Sequence, residues 1–385
     1  MRDAFALDPT VVQLNHGSFG AVPSVVLEAQ RRIRDRIEAN PLRFHRVEVP
    51  GLKAEARRVA GDFLGVAADD VALVRNVTHG AATVLASLTS NGRLGAGDAV
   101  VLAPHTYESI RAMVTRLCRQ MGASVEIADF PLDADPDAVV NAHNIAFERV
   151  RGRGHRPCLV VIDHIASPTA AVSPVERLSA AARDAGALVL VDAAHVPGQL
   201  SARPEATGAD YWTGSWHKWG FAPRGTTALW ASAEQRDTLE PLATGAPDGT
   251  PFPLAFDRTG TDDATGWYCL ADAVEFWNEC GGPAIAERSR VLLADGAALL
   301  AEVLPAVDAP MPVDSAPCMQ LVALPDGAAS TSMDAAALYE RLSEHGFEVQ
   351  VVPYAGHGYL RLSASVYNEL EDYERLAKVL PDLAF

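Results

Sequence analysis

The segment Asp210-Tyr211-Trp212-Thr213-Gly214-Ser215-Trp216-His217-Lys218-Trp219-Gly220 gathers a lysine, a histidine, hydroxyl groups and large aromatics within eleven residues. Lys218 lies among Trp216, Trp219 and Phe221. An apolar cage strips water from an ammonium, and the lowered pKa favours the neutral amine that attacks a carbonyl carbon to form an imine. A lysine among aromatics is more often a surface residue that lays its stem on the rings and keeps its head wet. Spacing supports the reactive reading. Asp192 precedes Lys218 by 26 residues, read as one helix and one strand, and closes a very apolar run. A carboxylate there is costly to bury unless it meets a cation or a donor. A protonated ring nitrogen would serve, with Asp192 and Lys218 at opposite ends of one planar ligand. Taken alone, Asp192 also suits a helix cap.

These residues need a sheet to hold them. From about residue 52 to 229, apolar and β-branched runs at 71–74, 99–102, 159–162, 187–191 and 226–230 alternate with helical patterns. Continuous apolar strands with helical crossovers predict a mostly parallel α/β sheet covered on both faces, with ligands at the carboxyl ends of the strands. Polar residues follow four of the five runs. Arg75-Asn76-Val77-Thr78-His79-Gly80 opens a helix to about residue 88, and its free N–H groups with Thr78 suit a phosphate. A simple Asn76 or Thr78 cap explains the same residues. His105-Thr106-Tyr107 opens another helix, where Tyr107 can stack on a flat ligand or pack half-buried. Asp163 to Thr169 places hydroxyls beyond the third run.

Ahead of this region, residues 11–19 read as extended. A helix follows with Ser24 as its cap and Val25, Val26, Ala29, Ile33 and Ile37 as its apolar face, broken at Asn40-Pro41. Beyond about residue 280 the pattern changes to helices at 285–303 and 333–345 and strands near 319–322, 347–352 and 359–362. Three units are expected: an N-terminal segment and helix (1–50), a large α/β domain (51–280) and a small C-terminal α+β domain (281–385). Hydrophobic residues make up 49% and charged residues 21% of the chain, as in a folded domain. The net charge of −17 argues against nucleic acid as partner. No leader or membrane-spanning run is evident, and Cys118, Cys158, Cys269, Cys280 and Cys318 lack CxxC spacing, so a cytoplasmic protein is expected. His79, His105, His164, His195 and His217 show no helical pairing for a metal, and no glycine-rich nucleotide loop follows the first strand.

The pair Asp192-Ala193-Ala194-His195 and Gly214-Ser215-Trp216-His217-Lys218, with the opening Leu14-Asn15-His16-Gly17-Ser18-Phe19-Gly20 and Pro23, resembles a known family. It is similar to the fold-type I pyridoxal 5′-phosphate (PLP) enzymes of the class V aminotransferase family, in their isopenicillin N epimerase-like branch. The resemblance runs from about residue 12 to the C-terminus. It implies a seven-stranded, mostly parallel sheet flanked by helices, and a small C-terminal α+β domain. It implies Lys218 as the Schiff-base lysine and Cα acid/base, and Asp192 on the pyridine nitrogen. His195 would bond the ring's 3-oxygen from one side and Ser167 or Thr169 from the other, with Tyr107 stacked on the ring. Thr78, His79, Ser215 and His217 would hold the phosphate. Thr261 would reach the phosphate of a neighbouring subunit, implying a homodimer. Arg361, in Tyr359-Leu360-Arg361-Leu362-Ser363, would clamp the substrate carboxylate through its planar fork.

PLP weakens every bond at Cα of an amino acid, and orientation selects which one breaks. The stretch from Val351 to Tyr359, where persulfide-forming cysteine desulfurases of this family carry a nucleophilic cysteine, has none, so that chemistry is not expected. C–S β-elimination of a cysteine-derived conjugate is the favoured expectation. Epimerisation, with His16, His105 or Tyr107 as second acid/base, and transamination or decarboxylating deamination are the alternatives. His16 and Arg43, the latter with His45 and Arg46 after the first helix, are expected near the substrate; a solvated basic turn fits the same three residues.

Overall fold

The computed structural model describes residues 1–383. Strand β1 (Val12–Gln13) and the short helix α1 (His16–Phe19) lead into α2 (Ser24–Ala39). Val26, Ala29 and Ile33 of α2 face inward, while Val25 is exposed. Ser24 is the first helical residue and makes no capping bond; Pro23 occupies the cap position. The break at Asn40 is brief. Its side chain accepts from the Arg43 N–H and caps α3 (Pro41–Arg43), which continues through a π turn into α4 (Val49–Leu64).

The α/β region follows as β2 (Val71–Val74), α5 (Val77–Ser90), β3 (Asp98–Leu102), α6 (Glu108–Met121), β4 (Ser124–Ile127), α7 (Pro136–Gly152), β5 (Arg156–Asp163), α8 (Val175–Asp184), β6 (Leu188–Ala193), β7 (Tyr211–Ser215) and β8 (Thr227–Ala231). The seven strands lie in the order β2-β8-β7-β6-β5-β3-β4, and only β8 runs against its neighbours. All five expected runs are strands. β4 and β7 are additional; Ser and Glu in one and Thr, Gly and Ser in the other hide them from an apolar-run search. Between β6 and β7 there is no α-helix, contrary to the expectation, only a 3-10 turn at Glu205–Thr207.

Both sheet faces are covered. Leu102, Val161, Leu190 and Tyr211 pack beneath Leu85 and Leu88 of α5 and Ile110 and Val114 of α6. Val160, Ile162, Val189, Val191 and Trp212 pack on the opposite face with Phe147 of α7 and Leu178 of α8. Side chains alternate along each strand, so one strand feeds both cores.

Helices α9 (Thr265–Tyr268), α10 (Leu270–Glu279) and α11 (Ala284–Val303) lead to β9 (Met319–Ala323), α12 (Ser332–Glu344), β10 (Phe347–Glu348), β11 (Gln350–Tyr354), β12 (His357–Ser363) and α13 (Leu370–Val379). β11, β12 and β9 form an antiparallel sheet, backed by Leu293, Leu300, Leu338, Leu342 and Tyr373. The run at 347–352 is divided, because β10 pairs with β1 while β11 pairs with β12. Val12 and Leu14 are thereby buried in this C-terminal core.

The pairing of β1 with β10 carries residues 15–20 across to the turn after β7. Gly20 has φ 68°, and a Cβ there would collide with the His217 carbonyl oxygen. Both the left-handed backbone and the close approach demand glycine. Gly20→Ala is expected to lower unfolding stability by more than about 2 kcal/mol in urea titration, whereas Gly95→Ala, where a Cβ meets nothing within 4 Å, changes it by less than about 0.5.

Candidate active site

Lys218 sits half-buried in the turn leaving β7, flanked in sequence by Trp216 and Trp219, whose indoles are buried. The backbone of this turn is clamped from the N-terminal segment: His16 Nε2 donates to the Lys218 carbonyl oxygen at 2.8 Å. The amine Nζ lies 3.0 Å from His195 Nε2. Burial pulls the Lys218 pKa down to about 8, helped by the Arg361 charge and opposed by Asp192. The lowered pKa expected of this lysine is therefore present, and at neutral pH a usable fraction of the amine is uncharged. Of the aromatics, Trp219 reaches the amine's partner His195, while Trp216 packs on Phe63 and Trp267 and Phe221 on Phe5 and Phe276.

Asp163, Asp192 and Thr213 stand side by side at the carboxyl ends of β5, β6 and β7, in register across the parallel strands. Asp192 is buried and forms no salt bridge among the described residues; one oxygen accepts from the Ala194 N–H at 3.0 Å. Burial raises its pKa, with the Ala194 N–H and the Lys218 charge acting against that rise. Asp163 is pushed up to about 8 by burial and by the Asp192 charge. It accepts from the Tyr107 N–H at 3.1 Å and so seats the start of α6, leaving the Tyr107 ring 40% exposed. Sequence reasoning assigned Asp163 and Thr213 no role, since only strand register reveals them as neighbours of Asp192.

α5 begins against the same row. A Cβ on Gly80 would meet Thr213 Oγ1 at 2.5 Å, so glycine lets the helix start settle onto β7. Asn76 is the cap: its side chain accepts from His79 N–H at 2.8 Å and its carbonyl from Gly80 N–H at 3.0 Å. The N–H groups of Val77 and Thr78 have no acceptor in the helix. Ser215 and Thr227, paired across β7 and β8, share a hydrogen bond of 2.8 Å, and Thr227 Oγ1 lies 3.5 Å from His217 Nδ1. His217 is held neutral by burial, its pKa near 4, and burial lowers that of His79 as well. Thr261 is exposed on a loop tied to this turn by Arg75 Nε and Asp262 Oδ2 at 2.8 Å.

Arg361, on β12, is buried, and its fork contacts only neutral groups. It donates to the Ser167 carbonyl and hydroxyl, to Asn15 Oδ1 at 3.0 Å and to Ser18 Oγ at 3.1 Å. No acid among the described residues pairs with it, and burial pulls its pKa down to about 10. Ser167, expected beside a ring oxygen, instead belongs to this arginine cage, although its O–H can still donate. The fully buried Thr169 accepts from the Ala171 N–H. Asn15 and Ser18 were visible only as part of a motif, and their role follows from the β1–β10 pairing.

Two expected substrate residues are corrected. His16 is buried with Nε2 on the Lys218 carbonyl and Nδ1 3.1 Å from the Tyr367 hydroxyl, so neither nitrogen is free for substrate or proton transfer. Arg43 is exposed on α3, and no side-chain hydrogen bond or ion pair links it to the residues around Lys218. His105 is buried against Phe130, with both ring nitrogens unpartnered. Among the described residues no His, Cys, Asp and Glu cluster could hold a metal, and no helix is long and apolar enough to cross a membrane.

An uncompensated carboxylate, an amine with lowered pKa, an imidazole beside it and free helix N–H groups together fit PLP. Asp192 would hold the ring nitrogen and His195 the ring oxygen. Thr78, the α5 N-terminus, Ser215 and His217 would hold the phosphate.

The aminotransferase class-V family model matches residues 21–376. Isopenicillin N epimerase of Streptomyces clavuligerus is 31% identical, over 99% of this chain and 97% of its own. L-cysteine desulfhydrase of Arabidopsis thaliana is 28% identical, over 97% of this chain and 88% of its own. Among solved structures, a mutant of the cystine C–S lyase C-DES with glycine covalently linked to its PLP cofactor covers 100% of both chains at 20% identity and a TM-score of 0.80. That likeness concerns the fold alone. With the family model spanning nearly the whole chain and the PLP-fitting site intact, this protein belongs to the class V aminotransferase family and is a PLP-dependent enzyme of fold type I.

Proposed function

We propose that the enzyme cleaves a C–S bond by β-elimination from a cysteine-derived conjugate. The observation that carries this reading is the distribution of proton-moving groups. Lys218 is the one amine in the site, whereas His16 has both nitrogens engaged and His195 is occupied by Lys218 on one side and Trp219 on the other. A single base suffices to remove the Cα proton and expel a thiolate from Cβ, while epimerisation needs a second group on the opposite face. The names of the relatives include both outcomes, desulfhydration and epimerisation. The exposed Tyr107 ring and the unpartnered imidazole of His105 keep the epimerase reading as the second choice.

PLP, when bound, supplies the electron sink. The chain's residues do the rest. Arg361 takes the substrate carboxylate in a bidentate grip, filling the place of its missing counter-charge. Asp192 keeps the ring nitrogen protonated, and His195 donates to the ring oxygen. Lys218 Nζ accepts the Cα proton; the electrons of that C–H bond become the Cα=Cβ bond as the C–S pair leaves with the thiolate. The Trp219 indole, behind His195, helps to exclude water on that side of the amine. We further propose a homodimer in which Thr261 reaches the neighbouring subunit's phosphate.

Incubation of the holoenzyme with cysteine conjugates in deuterium oxide should release thiol and pyruvate; Cα exchange without thiol release would instead establish epimerisation. Lys218→Ala should lose the borohydride-reducible absorbance at about 410–430 nm. Arg361→Lys should raise KM at least about tenfold with PLP affinity unchanged, because a point charge replaces a planar fork.

A further inference from the structure

His195 is buried and neutral, since burial holds its pKa well below the ordinary value, with the Arg361 charge acting in the same direction. A neutral imidazole carries one N–H, and its location depends on what each nitrogen faces. Trp219 Nε1 points at His195 Nδ1 at 3.4 Å, and an indole N–H only donates. Nδ1 must then be the acceptor, and the ring proton must sit on Nε2, 3.0 Å from Lys218 Nζ. An ammonium on Lys218 would oppose that N–H donor to donor, whereas a neutral amine accepts from it.

We propose that Trp219 is a positioning residue that fixes His195 as the Nε2–H tautomer, thereby keeping the Lys218 amine unprotonated and aiming a donor at the cofactor's ring oxygen. The indole is buried and held in place: a Cβ on Gly17 would lie 3.2 Å from its Cζ2, and the His16 ring centroid is 4.9 Å away. Asp192, His217 and Arg361 are the other charged or titratable groups that act on this pair. The tautomer argument needs no choice between elimination and epimerisation, and its test needs no turnover.

The full chain contains only three lysines, Lys53, Lys218 and Lys378, so amine labelling can be read at Lys218 by peptide mass spectrometry. In the cofactor-free chain, Lys218 labelling should rise with pH through about 8. Trp219→Phe removes the N–H and permits the Nδ1–H tautomer, which accepts from an ammonium. The rise should then move to higher pH, leaving labelling at pH 7.5 about tenfold slower. Nitrogen-15 NMR of the His195 ring, assigned by its absence in His195→Asn, should show the proton leaving Nε2. Incorporating 3-benzothienylalanine at position 219 keeps the bicyclic shape without an N–H and should reproduce both effects, which separates the tautomer from packing. An unchanged labelling profile and an unchanged Nε2–H in that shape-matched variant would overturn the proposal.

Discussion

Keeping one lysine amine out of water constrains much of this molecule. Lys218 needs shelter from water, and the His195 imidazole with the Trp219 indole behind it walls one side of its amine. Walls alone would leave the turn after β7 free to move, because its backbone is not part of the sheet ladder. His16 and the Gly20 approach close on that backbone from the N-terminal segment. That segment is in turn anchored by pairing β1 with β10 in the C-terminal core. The lysine's chemistry thus rests on a chain of contacts that begins more than 200 residues before it in the sequence and returns through strands near residue 347.

The buried charges follow a single logic. Among the described residues Asp192 and Arg361 each form no ion pair, a poor arrangement for stability alone, although the Lys218 charge acts on Asp192. Both gain when an amino acid and PLP bind, since a ring nitrogen meets the carboxylate and a carboxylate meets the guanidinium. Asp163 extends the pattern. Beside an ionised Asp192 it is driven towards the protonated form, and it serves as an acceptor that seats Tyr107 rather than as a second anion. Stability given up at these positions is directed to binding.

The β7 strand shows how the sheet delivers function on both sides. Tyr211, Thr213 and Ser215 face α5, while Trp212 lies in the opposite core. Period-two alternation lets one short strand place a hydroxyl row at the helix N-terminus and an aromatic wall behind it. Gly80 completes the arrangement by allowing α5 to approach Thr213 without a side chain between them.

The sequence by itself determined the α/β class, the five apolar strands, the polar residues that follow them and the pair Asp192 and Lys218, while the roles of His195 and Arg361 came from the family resemblance. These were legible because apolar runs and strand-end polarity are local patterns. Tertiary structure alone decided that β4 is a strand, since its polar residues erase the apolar run, and that β7, expected from the spacing of Asp192 and Lys218, follows β6 without an intervening α-helix. It also decided that Ser167 joins the Arg361 cage, that His16 clamps a backbone carbonyl, and that Asp163, Asp192 and Thr213 form one row. Arg43, selected for its place in the basic segment after the first helix, is exposed on α3 with no hydrogen bond or ion pair to these groups among the described residues. Each of these outcomes depends on strand register or on contacts between distant segments, and neither is encoded in the spacing of residues along the chain.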